Sequence, residues 1–333
     1  MGETAHGADL ITSRQGVSGV LVIDKPRGQT SHVIVVRVRR TLRTREVGHA
    51  GTLDPMATGV LVVALGQATK LVPWLTAHDK SYRTTIALGI QTDSLDADGR
   101  EDLRVTPGRP LLDALSSDLG WTSAPILADA IERERARTSQ IPPAYSAIKV
   151  GGQRAFDRAR RGQAFDLAPR PVRVARMDYV ACTNEPPTLT LELDVAKGYY
   201  VRSLARDLSA ALGTVGHLIA LCRTRSGPFS ATEALSLDTQ TQPEELLRHV
   251  IPLAAAAKRA LPSVRLTGDG ATHARTGRAV VASEFETPMP AGVCGWLDVD
   301  GSLVAVGEID AGGSGRVVRG FAREPATPDG TPS

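Results

Sequence analysis

The sequence predicts a mixed α and β protein: a large helix-and-sheet domain followed by a small β-rich one. Three observations carry that prediction. Tyr82, Thr84, Ile86 and Leu88 alternate with Arg83, Thr85 and Ala87; Leu189, Leu191, Leu193 and Val195 alternate with Thr190, Glu192 and Asp194. A period of two marks half-buried strands. Val201, Leu204, Ala205, Leu208 and Leu212 recur instead at helical spacing, and Gly213 stops the run. Composition then shifts near residue 262. Beyond it, strand-like runs are divided by Gly turns, with a hairpin signal at Asp300-Gly301.

Length and composition agree with this plan. At 333 residues and 42% hydrophobic, the chain can bury one large core and a smaller one. Net charge is +3, too mild a basic balance to imply nucleic acid by itself. Aromatics are only 4%, so each one in a motif carries weight. Cys182, Cys222 and Cys294 are far apart and form no CxxC pair. Neither a zinc site nor a disulfide scaffold is expected, and a reduced cytoplasmic compartment is. Met1 to Gly16 shows no apolar h-region, and no apolar run reaches the ~18 residues of a membrane span, so neither a signal peptide nor a membrane helix is expected.

The elements follow in order. Residues 1–16 read as a flexible tail. Gly19 to Ile23 is a short apolar strand, and Pro26 and Gly28 turn the chain. Ser31 is the expected N-cap of a helix from His32 to Leu42 that carries Arg37, Arg39 and Arg40, with Arg43 and Arg45 beyond. Val47 to Gly59 reads as a glycine-framed loop, since its glycines and Pro55 suit neither helix nor strand. Asp54 is the only acid in it. Val60 to Leu65 is a buried strand or a helix start; periodicity leaves both open. Thr92 to Gly99 is an acidic loop, and Pro125 to Ala136 is helical. Pro142-Pro143 force an extended piece over 140–149. Gln153 to Arg161 is a short helix with Arg154, Arg158, Arg160 and Arg161. Val215 to Cys222 reads as another, ending in Arg223 and Arg225. Residues 324–333 are rich in Pro, Gly and Thr and read as frayed.

On spacing alone, Asp54 is either a turn residue before proline or a reactive carboxylate on a rigid loop. A resemblance separates these readings. Gly48-His49-Ala50-Gly51-Thr52-Leu53-Asp54-Pro55-Met56-Ala57-Thr58-Gly59 resembles the catalytic motif of the bacterial TruB family of tRNA pseudouridine-55 synthases. Four further segments resemble the same family, in order. They are Asp24-Lys25-Pro26 with Thr30-Ser31-His32; Lys80 and Tyr82 with Leu88-Gly89 and Thr92-Asp93; Pro142-Pro143-Ala144-Tyr145-Ser146-Ala147 with Lys149; and Gly198 to Leu208. Together they cover residues 19 to 230 almost continuously.

The resemblance implies an α+β pseudouridine synthase fold. A largely antiparallel mixed sheet flanked by helices would span residues 17–262, and a small PUA-like RNA-binding β domain residues 263–323. It implies isomerisation of uridine-55 in the T-loop of tRNA, a reaction without net redox change that needs no cofactor or metal. Asp54 would be the nucleophile, and a carboxylate can serve as one. Arg202 would pair with it and lower its pKa. Tyr82 would stack on the flipped uracil, and Tyr200 would be a second pocket tyrosine. The family pattern has threonine where this chain has Tyr199, so Tyr200 is chosen by alignment with Gly198 and Arg202. His49 would contact RNA beside the base, and Leu221 would line the uracil pocket. Lys25 and Asp96 would support or orient the site. The arginine groups at 37–45, 154–161 and 223–225 would then be phosphate contacts. The expected partner is the T-arm of tRNA, with no membrane and no obligate protein partner, and the protein acting as a monomer.

Three other readings compete. A tRNA-binding or folding module would need no turnover. A glycosidase could draw a second acid from Asp93, Asp96 or Asp98, but the arginine clusters and scarce aromatics oppose a sugar cleft. An RNA-guided pseudouridylase would carry long lysine-rich extensions, and the sequence shows none.

Overall fold

The computed structural model describes residues 16–116, 124–146, 148–163 and 165–323. The tails expected at 1–16 and 324–333 lie outside these residues, apart from Gly16.

The elements that frame the site are strand β1 (Gly19–Lys25), helix α1 (Ser31–Leu42), β2 (Val47–Ala50), β3 (Thr58–Leu65), β4 (Lys80–Leu88), helices α2 (Pro125–Arg135) and α3 (Ala155–Arg160), β5 (Val174–Asn184), β6 (Pro187–Val195), α4 (Val201–Ala211), β7 (Gly216–Ser226), β8 (Leu235–Ser236) and α5 (Leu253–Ala260). The strands form one sheet in the order β5-β6-β4-β7-β3-β1-β8. Its pairings are antiparallel except β7 with β3 and β1 with β8. This is the mixed, mostly antiparallel sheet implied by the resemblance.

β3 and β1 are buried on both faces. Leu61, Val63, Leu65, Leu21 and Ile23 enter one core with α1, α2 and α4. Val60, Val62, Ala64, Val20 and Val22 enter a second core with α5. A continuous apolar run with alternating destinations is what a central strand requires, which settles 60–65 as strand.

The C-terminal residues build a second sheet, β9 (Ser263–Arg265), β10 (Gly292–Leu297), β11 (Leu303–Ile309) and β12 (Gly315–Gly320), in that order. The hairpin turn falls at 298–302, where Asp298 N and Gly301 N close it. Leu297, Leu303, Val306 and Phe321 join the second core of the large sheet through α5. The unit is not all β: α6 (Gly268–Arg275) packs beneath the sheet, its Ala271 and Ala274 buried beside Trp296. Two glycines in its first turn hid it in the sequence.

Four local readings are corrected. Val215 to Cys222 is not a helix but the start of β7, which pairs with β4 along its length and with the foot of β3. A β-bulge between Leu218 and Ala220 shifts the alternation by one residue. Buried Leu218 and Leu221 therefore fall three apart, which mimics helical spacing in an extended chain. The N-cap of α1 is Thr30, which accepts from Val33 N; Ser31 opens the helix and bonds elsewhere. Residues 47–50 of the expected loop form β2, paired with the upper half of β3. Gln153–Arg154 are a strand pair before α3.

Candidate active site

β2 and β3 form a hairpin whose connection, residues 51–57, carries Asp54. Gly51 and Gly59 take left-handed backbone angles, φ +92° and +91°. A Cβ on Gly59 would also stand 2.3 Å from the Arg223 carbonyl oxygen, so only glycine fits there. Between them, five consecutive carbonyls are all engaged. Arg223 Nη2 donates to Gly51 O at 2.9 Å, and its Nη1 lies 3.5 Å from Thr52 O. Ser31 Oγ donates to Leu53 O at 3.2 Å and accepts from Leu53 N at 2.9 Å. Ala57 N donates to Asp54 O. Lys25 Nζ and Gly28 N both donate to Pro55 O. The backbone beneath Asp54 is thus fixed from three elements, β1, α1 and β7, and from the turn between the first two.

Asp54 faces Arg202, in the first turn of α4. Arg202 Nε lies 2.9 Å from Asp54 Oδ2 and Nη2 donates to Oδ1 at 3.3 Å, a two-point fork. The remaining donors hold the guanidinium in place. Nη1 donates to Ser94 O at 3.1 Å and Nη2 to Tyr145 O at 2.8 Å. Asp96 Oδ2 stands 3.7 Å from Nε. Asp96 is itself buried and accepts from Ser94 Oγ and Asp98 N. Two loops and a helix therefore converge on one ion pair.

The sequence leads one to expect Arg202 to hold the Asp54 pKa down. The net direction is the reverse. Burial raises it above the usual 3.8 and outweighs Arg202, while Asp96 and Asp98 push it up further. Arg202 limits the rise without cancelling it.

A cleft of about 1700 Å³ opens over this pair, with Asp54, Tyr82, Tyr200, Arg202 and Leu221 on its walls. Tyr82 projects from β4 and is half-buried. Leu221 is buried on β7, and its carbonyl lies 3.5 Å from Thr58 Oγ1. Both tyrosines line the cleft, and they differ in burial. Tyr199 packs into the main core, whereas Tyr200 is half-buried and feels the charges of Arg202 and Asp54. Burial raises the pKa of the Tyr200 hydroxyl. Gln140 clasps Tyr200 by both ends: its Nε2 donates to Tyr200 O and its Oε1 accepts from Tyr200 N.

Lys25 is fully buried and donates to the carbonyls of Pro26, Gln29 and Pro55, a supporting place rather than one in contact with a ligand. Its pKa is lowered by burial, partly offset by Asp54. His49 lies on β2 opposite Val63 and is not among the residues lining the cleft. Burial, then Arg223 and His32, lower its pKa, so it is neutral at neutral pH.

Several arginines expected to meet phosphate are engaged internally. Arg37 donates to Leu237 O and Arg39 to Val47 O. Arg223 is 1% exposed. Arg225 donates to Gly227 O and pairs with Asp194. Of the expected groups, Arg160 and Arg223 do line the cleft, Arg160 stacked 5.6 Å from the Phe156 ring centroid and Arg223 turned almost wholly inward. Arg100, Arg170 and Lys197 line it too and were missed. As single charges outside any cluster, they gave no signal in the sequence. Among the described residues no set of three His, Cys, Asp or Glu side chains is placed to hold a metal, and no helix is long and apolar enough to cross a membrane.

Comparison with known proteins shows the family. The family model for the TruB family pseudouridylate synthase N-terminal domain covers residues 39–201, and that for the tRNA pseudouridylate synthase B C-terminal domain covers 202–256. The tRNA pseudouridine synthase B of Cereibacter sphaeroides is 41% identical over 317 residues, covering 94% of this chain and 97% of its own. That of Mycobacterium tuberculosis is 41% identical over 291 residues, covering 86% and 91%. Among solved structures, a Cbf5-Nop10-Gar1 complex superposes with a TM-score of 0.67 at 22% identity, over 94% of this chain and 86% of that one. That likeness is one of fold.

Proposed function

The chain belongs to the TruB family of pseudouridylate synthases, and from that premise we propose that it converts uridine-55 in the T-loop of tRNA to pseudouridine, with Asp54 as nucleophile. The observation that supports this most is the forked Asp54–Arg202 pair on a clamped loop at the bottom of a cleft. The reaction breaks the N1–C1′ bond, turns the uracil and joins C5 to the same C1′. The C5 proton is lost and N1 gains one, so atoms balance without a co-reactant. The Asp54 carboxylate serves whether it adds to C1′, adds to C6 or removes a ribose proton, since each course sets it against the extruded nucleotide.

The duplex or loop must give up that nucleotide, at a cost of a few kcal/mol in lost stacking. Tyr82 offers a ring on the cleft wall to offset part of that cost. Tyr200 and Leu221 close the pocket around the base. Arg202 favours the charged form of Asp54 that attack requires, although burial outweighs it. The cleft cations Arg100, Arg160, Arg170 and Lys197 suit the phosphates that flank the base. The small C-terminal sheet, fixed to the second core through α5, extends the RNA-binding face in this reading.

Modification mapping tests the site of action. Unmodified tRNA is treated with the protein, then with carbodiimide, and read by primer extension. One new stop at the T-loop uridine is expected. A stop at another uridine would overturn the choice of uridine-55, and no stop would overturn the activity.

A further inference from the structure

Arg223 presents an unusual combination. It is among the largest fully buried side chains, and among the described residues no carboxylate pairs with it. A buried guanidinium that meets only carbonyls is costly, and an apolar side chain of similar volume would spare that cost. Stability alone therefore gives no reason for an arginine here.

Its bonds supply one. Nε donates to Val60 O at 2.7 Å, just after the Asp54 loop. Nη2 donates to Gly51 O at 2.9 Å, where the loop begins. One planar fork from β7 thus ties together the two ends of the connection that carries Asp54. The Arg223 backbone grips the same place, because it pairs with Gly59 in register. Arg223 and, two residues earlier on the same strand, Leu221 both line the cleft, but at 1% exposure Arg223 turns its donors into the loop rather than into the opening.

We infer that Arg223 is the positioning residue of the reaction: it fixes the Asp54 carboxylate against the pocket wall built on β7, and makes no contact with RNA. This rests on the reading of Asp54 as nucleophile. Nucleophile and pocket then keep one spacing because a single strand holds both. A displacement of about 1 Å in such a site can cost about a hundredfold in rate. Lysine cannot replace the fork, since one ammonium at the end of a flexible stem cannot span Gly51 and Val60 in fixed geometry.

The test compares Arg223→Lys and Arg223→Met with the wild type. Single-turnover tritium release from tRNA labelled at uridine C5 gives the rate, and filter binding at several salt concentrations gives affinity. The inference predicts a rate at saturating protein about tenfold lower for Arg223→Lys and about a hundredfold lower for Arg223→Met. tRNA affinity stays within about threefold, with an unchanged salt slope. If Arg223→Met does not fold, the lysine variant decides alone. A wild-type rate in Arg223→Lys would overturn the inference, as would an intact rate with lower melting temperature, which marks a merely structural role. Weaker binding with a shallower salt slope and intact rate would mean a phosphate contact instead. Inactive wild type would sink the reading of Asp54, and the inference with it; active wild type with unaffected variants would sink the inference alone.

Discussion

The floor and the rim of the cleft use the same residue types in opposite ways. On the floor, Lys25, Arg202 and Arg223 are buried, and their donors meet named loop carbonyls or the Asp54 carboxylate. On the rim, Arg160 stands on the short helix α3, over the ring of Phe156 at 5.6 Å, and Arg100 is exposed just past the 92–99 loop. Floor cations define geometry, so one substitution there should act through rate. Rim cations add long-range attraction, so substitutions there should act through affinity, additively and in a salt-dependent way.

The sharpest break in that contrast is expected at Asp54 itself. Asp54→Asn removes the charge with little change of shape. Turnover should fall by about a thousandfold or more while tRNA affinity changes only a few-fold. Equal losses in both would merge floor and rim into one binding surface.

Next is Arg202→Met, expected to lower the rate about a hundredfold at neutral pH. Its pH profile carries a sign. With Asp54 as the proposed nucleophile, activity needs its ionised form and is lost as pH falls through its pKa. That pKa already stands above 3.8, and Arg202 is the cation that restrains it. Removing Arg202 should therefore move the acid limb to higher pH, measured from rates across the acid range. A limb that stays put or moves down would contradict the pairing. Asp54 and Asp96 would be left without their cation, so the variant should also melt at a lower temperature.

Tyr82→Ala should cost about ten- to a hundredfold in rate or affinity, the range expected for one lost base–aromatic stack of about 1–3 kcal/mol. Tyr82→Phe keeps the ring and should recover most of that loss. Failure of phenylalanine to do so would move the role from the ring to the hydroxyl.

The smallest effects belong to the rim. Arg160→Ala and Arg100→Ala should leave the saturated rate unchanged. Each should make the slope of log affinity against log salt shallower by about 0.7–0.9. A change in rate at saturation would show the rim taking part in the chemistry.

The same contrast explains what the sequence made legible. Regular alternation exposed β4 and β6, and a 3–4–7 pattern exposed α4, while Arg202 was singled out only by the family resemblance. The motif around Asp54 marked the loop that meets Arg202, although the first four residues of the expected loop are strand. β7 stayed hidden because its bulge imposes helical spacing on extended chain. Arg223 and Arg225 looked like the end of a basic helix for the same reason. Burial depends on strands distant in sequence, and nothing local separates a buried arginine from an exposed one. The pKa of Asp54 shows the same limit: the pairing with Arg202 was legible, but the depth of burial that outweighs it was not.

Tritium release from tRNA labelled at uridine C5 tests the central claim most directly, with wild type and Asp54→Asn run side by side and a tRNA whose T-loop uridine is changed to cytidine as control. The account predicts release of about one tritium per tRNA by the wild type, and none by Asp54→Asn or from the control. No release by the wild type, or undiminished release by Asp54→Asn, would contradict it.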